Sequence, residues 1–232
     1  MRVIAFVMLS TACLTVPLFK SRLPPRKTGP VLELSAFKET AYLLFSISMF
    51  LSFWGLYFAF YYVGVWAKQS LGASSKSTIN ILSVMNGVGL FGRLLPGFLA
   101  DRYFGPVNSL LPFVFFSALC LYCWAAVRNI TSVYVFAVFY GFFAAGIQSL
   151  FLATLGSLTS DPKKVGVRMG MVLTVISIPA LTGSPLAGAL IQRASQSYLY
   201  AQMFAGSSMA LGFFFLVAVR IARTGWKFST KV

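Results

Sequence analysis

The chain has 232 residues, 58% hydrophobic and only 10% charged, with mean hydropathy +0.82 and a formal net charge of +15. Soluble domains are about one quarter charged, so this composition excludes a water-soluble globule and makes lipid the solvent of the fold. The apolar blocks recur along the whole chain, which excludes a secreted protein, and the basic residues lie between blocks, so nucleic acid is not expected as a partner.

A membrane-crossing helix needs about 20 mostly apolar residues. The pattern predicts an all-α membrane protein with about seven transmembrane helices, at roughly 2–19, 41–66, 78–100, 107–127, 132–155, 168–192 and 199–221. The first helix is short. The connector Lys20–Thr40 follows, basic and proline-broken in KSRLPPRK, with a possible interfacial helix carrying Leu32, Leu34 and Phe37.

In the second helix, Tyr57 and Tyr61 share a face at i, i+4 and read as pathway lining or as interfacial anchors. The third helix holds the most informative stretch, NGVGLFGRLLPGFLADRYFGPVN, with Arg93 deep inside an apolar run and Asp101-Arg102 at a tight turn. Eight residues, or about 12 Å of helix, separate Arg93 from Asp101, which puts Arg93 near the middle of a core about 30 Å thick. An ionisable group there costs about 2.5–3.5 kcal/mol on insertion scales and marks a candidate functional site. It reads either as a functional group or as a structural one that bridges helices through backbone carbonyls or pairs with an acid from outside these helices. Asn86 lies nearly two turns earlier on roughly the same face.

In the fourth helix Cys120 and Cys123 read as buried apolar thiols. With no histidine in the chain, no metal or other cofactor is expected. Asn129-Ile130-Thr131 is a glycosylation sequon in a loop too short to expect occupancy. Gln148 lies in mid-span of the fifth helix. In the sixth, Gly183 and Gly188 with Pro179 and Pro185 are expected to break the helix. Phe213–Phe215 in the seventh reads as lipid-facing bulk.

Thirteen Lys and Arg residues fall on the side of the long connector and the C-terminus and five on the other, leaving Arg93 aside. That bias places the 20–40 loop and the C-terminus in the cytoplasm and the N-terminus outside. It does not choose between plasma and vacuolar membranes. All four acids, Glu33, Glu39, Asp101 and Asp161, lie at or near the cytoplasmic side. A catalytic constellation is not found, since a Ser or Thr nucleophile would lack a base, so no enzyme is expected.

Gly97-Phe98-Leu99-Ala100-Asp101-Arg102 resembles the G-x-L-x-D-R signature of the major facilitator superfamily, although the chain continues Tyr103-Phe104-Gly105-Pro106 and lacks the signature's final arginine. RLPPRK at 22–27, SAFKE at 35–39, GRLLPGFLADR at 92–102, GPVN at 105–108 and SPLAGALI at 184–191 are similar to segments of fungal monocarboxylate-permease-like members. The resemblance implies that residues 1–19 correspond to the sixth helix of a full transporter, 20–40 to its central linker and 41–232 to its C-terminal six-helix half. It further implies alternating-access transport of a small organic solute, a monocarboxylate or other organic anion, with Arg93 binding the carboxylate and Gly97, Asp101 and Arg102 in gating or structural roles. Asn86, Tyr57, Tyr61 and Gln148 are weaker substrate-site candidates.

Relatives with carboxylate chemistry often place an acid one turn before that arginine, where this chain has Gly89. Proton coupling would then need a carboxylate from the missing N-terminal half. The alternative is a truncated, non-transporting half that binds a partner or regulates a full-length relative.

Overall fold

A computed structural model of the chain describes residues 2–19 and 32–225, with the backbone alone at Arg2. The RLPPRK segment at 22–27, and Lys227 and Lys231 of the charge count, lie outside the described residues. All regular structure among the described residues is helical: α1 (Arg2–Leu18), α2 (Thr40–Leu71), α3 (Ser75–Leu99), α4 (Pro106–Trp124), α5 (Ile130–Leu158), α6 (Pro162–Arg193) and α7 (Leu199–Thr224). Helices α2 to α7 are long and apolar enough to cross a membrane; α1, at 17 residues, is shorter. The chain divides into two compact units, residues 1–31 and 32–232.

Within the second unit the main packing runs α6–α2–α7–α4–α5–α3, so α3 and α6 stand at the two ends of an open series. Their spans are 28% buried, against 56% for α2 and α5, which stand next to them in the series. Lipid supplies no hydrophobic drive between helices, so close backbone approach and interhelical hydrogen bonds hold such a bundle. Both devices are present. A methyl group at Gly55 would collide with the Ala205 carbonyl, and one at Gly92 with the Phe142 carbonyl. Ser48 donates to the Gly212 carbonyl at 2.7 Å and Ser208 to the Leu51 carbonyl at 2.7 Å, joining α2 and α7 twice. Tyr140 donates from α5 to the Leu56 carbonyl at 2.6 Å.

The helix ends carry their own signals. Ser74 caps α3 by accepting from Ser77 N–H at 3.1 Å. Asn129 caps α5 by accepting from Ser132 N–H at 2.8 Å, so the sequon asparagine is engaged as a cap. Asp161 caps α6 and Pro162 occupies its first turn. Helix α6 therefore begins six residues before the expected 168, and Lys163 and Lys164 are helical rather than loop residues.

Four further differences stand out. Pro179, Gly183, Pro185 and Gly188 do not break α6, which runs unbroken for 32 residues; its neighbours hold the backbone in place. The tight turn at Asp101-Arg102 is a single π-helical turn, Ala100–Phe104, closed by Gly105 N–H donating to the Ala100 carbonyl at 2.9 Å. Gly105, at φ 82, supplies the reversal into α4. Cys123 is exposed, not buried, because it lies on the surface of α4 where an apolar groove runs between α4 and α5. The expected interfacial helix is a 3-10 turn, Leu34–Lys38. Leu32 and Leu34 are exposed, while Phe37 packs inward with its ring 5.2 Å from that of Tyr42.

Candidate functional site

Helix α3 lays Gly89 and Gly92 against α5 and leaves Arg93 on its exposed side. Arg93 Nη2 donates to Gln148 Oε1 at 3.3 Å, a bridge from α3 to α5 through a neutral amide. Among the described residues no carboxylate pairs with Arg93. One long bond to an amide occupies one of five guanidinium donors and neutralises no charge, so the fork remains available to an anion.

Helix α2 adds a third wall. Tyr57 lies within electrostatic reach of Arg93, and its ring is 6.3 Å from that of Tyr61, which is exposed. Arg93 and Gln148 thus meet from α3 and α5, while Tyr57 on α2 lies within reach of the Arg93 charge, with Tyr61 beside it. Asn86 does not join: its amide donates to the Leu82 carbonyl of its own helix at 2.9 Å. Gly97 faces open space, and a side chain there would touch nothing within 4 Å. Asp101 and Arg102 are exposed on the π turn, and the Arg102 guanidinium lies 5.9 Å from the centre of the Tyr103 ring.

A second polar constellation stands at the start of α6. Arg168 is 5% exposed. Its guanidinium forks onto Glu39, with bonds of 2.8 and 2.5 Å, and onto Glu33, with bonds of 3.2 and 3.4 Å. Lys164 adds a bond to Glu33 at 2.7 Å, and Tyr42 donates to the Arg168 carbonyl at 3.0 Å. Arg168, then Lys164, holds the Glu33 carboxyl down at about 2. Arg168 lowers Glu39 as well. The only sequence signal was the i, i+4 spacing of Lys164 and Arg168, which put two cations on one face of a helix. The expected helix, starting at 168, leaves Lys164 outside it.

At the same end, Arg220 on α7 is buried and donates to Asn108 Oδ1 at the start of α4. That places the asparagine of the GPVN segment in a bond between helices.

The sequence profile of the Major Facilitator Superfamily matches residues 45–230. The chain belongs to that superfamily. It is 40% identical over 223 residues to an MFS-type transporter of Gibberella zeae, covering 95% of this chain and 50% of the relative. It is 33% identical over 226 residues to the agnestins efflux protein AgnL12 of Paecilomyces divaricatus, covering 95% of this chain and 50% of the relative. It is 32% identical over 211 residues to the aspyridones efflux protein apdF of Emericella nidulans, covering 91% of this chain and 42% of the relative. The chain spans about half the length of these curated relatives. The superfamily is thereby established as an integral, multi-pass membrane fold. None of the three relatives is named for a monocarboxylate.

Proposed function

We propose that residues 41–232 form the C-terminal six-helix half of a transporter that moves a small organic anion by alternating access. Residues 1–19 and 20–40 would supply the preceding helix and the central cytoplasmic linker. The observation that carries this reading is Arg93, an intramembrane guanidinium whose hydrogen-bond partner among the described residues is the neutral Gln148 amide. The anion's acid group would take the free edge of that fork, with Tyr57 and Tyr61 beside it. The efflux names of two relatives favour outward movement and widen the solute class beyond the simplest monocarboxylates. Gating by the Asp101-Arg102 turn belongs to the same proposal.

The test is transport by the full-length protein, reconstituted in vesicles, with a panel of labelled organic acids and neutral controls. Arg93→Ala is expected to lower acid transport by at least about tenfold, the scale of one lost charge-assisted bond pair, with membrane expression unchanged. Transport at wild-type affinity would make Arg93 a structural bridge to α5. A second reading, a half that binds a partner without transporting, draws on the uncovered α3 and α6 faces; vesicles active with this chain alone would remove it.

A further inference from the structure

The end of the bundle opposite the four acids carries a cavity of about 440 Å³ where α2, α4 and α6 finish and α7 begins. That volume falls in the range of small-molecule pockets, about 300–1,000 Å³. Its walls include Trp66, Trp124, Arg128, Gln196, Ser197 and Gln202.

Three observations give it a sign. Arg128 is exposed, and no ion pair engages it among the described residues. The first turn of α7 begins at this wall without a side-chain cap, and its first helical bond is the one Gln202 N–H gives to the Tyr198 carbonyl at 2.9 Å. The N–H groups of Leu199, Tyr200 and Ala201 precede that bond, so the positive end of a 26-residue helix meets the cavity. Gln202 is 3% exposed, lines the cavity, and its amide has no hydrogen-bond partner among the described residues. The little exposure Gln202 keeps is at the cavity it lines, so its amide is open to a ligand there. The nearest acids by chain position belong to the far ends of these helices, so nothing acidic competes.

We propose that this cavity is a second anion site, separate from Arg93, that takes a small carboxylate with a planar apolar body. The carboxylate would meet Arg128, the Gln202 amide and the α7 N-terminus, and the body would lie against Trp66, which is 7% exposed at the edge of the Trp124 ring, 5.5 Å between centres. The binding stands independently of whether the molecule transports.

Benzoate is the probe. The chain in phosphatidylcholine nanodiscs is titrated with it, read by calorimetry and by tryptophan fluorescence. Saturable binding is expected, weakened about tenfold by Arg128→Gln, the scale of a lost bond to a charged group, and restored by Arg128→Lys. Gln202→Leu should weaken it as well. Arg93→Gln should leave the Arg128-dependent part of the binding unchanged, which separates this site from the transport proposal. No saturation into the millimolar range, an equal response to neutral benzyl alcohol, or binding that follows Arg93 and ignores Arg128 would each overturn the assignment.

Discussion

A carboxyl group at position 89 would sit one turn from Arg93, yet the packing gives a side chain there little space. A Cβ at Gly89 would stand 3.2 Å from the Ala145 Cβ and 3.6 Å from Arg93 Nη1. The residue that denies Arg93 an acid partner is therefore also one that lets α3 approach α5. Gly89→Asp would neutralise the guanidinium and crowd the seam at once; it is expected to abolish organic-acid transport, measured in the same vesicles as Arg93→Ala. Gly92 tests the seam alone. Gly92→Ala drives a methyl group into the Phe142 carbonyl and should cost about 1–3 kcal/mol, seen as a lower melting temperature in detergent, while a substitution at Gly97, which faces open space, should leave it unchanged.

At the scale of elements, the connector before α2 is tied to the first turns of α6 by Arg168, Lys164, Glu33 and Glu39. Breaking a buried pair costs more than removing both partners, because the survivor keeps its desolvated charge. Arg168→Ala should therefore lower the melting temperature more than Lys164→Ala, since the Lys164 side chain is 46% exposed. A double-mutant cycle between Arg168→Ala and Glu39→Gln should show coupling. The sign of the pH dependence follows from the carboxyls. Folding lowers Glu33 from 4.5 to about 2, so its stabilisation is complete above the ordinary value and fades as pH falls toward the lower one. Thermal melts across that acid window should show a larger loss in wild type than in Glu33→Gln, where only the Glu39 contribution remains.

Across the whole molecule, the span-length helices were legible because an apolar run of the right length has few alternatives in lipid. Their ends were less so. Lys68 and Gln69 looked like loop residues, yet they finish α2, which Gly72 then terminates at φ 64. The Lys163–Arg168 charges masked the Asp161-Pro162 start signal. Arg93 and Gln148 could each be singled out by polarity inside an apolar run, but their meeting across 55 positions could not. The Arg168 cluster joins residues 129 to 135 positions apart, beyond any local spacing rule. Likewise, three separate turns build the cavity near Arg128, and no single segment announces it.

Helix α6 is fastened at two points. Arg168 holds its beginning to the connector, and the Ser184 carbonyl accepts from Tyr62 of α2 at 2.9 Å. Sixteen residues separate them, about 24 Å of helix. Between and beside these fastenings, Pro179 and Pro185 each remove a backbone donor, so flexing there breaks fewer intrahelical bonds than elsewhere. The helix is thus built like a beam pinned near one end and again past its middle, with its weak section around the second pin. Force applied at the connector would be spent on bending at 179–185 before it displaced the far turn that borders the Arg128 cavity.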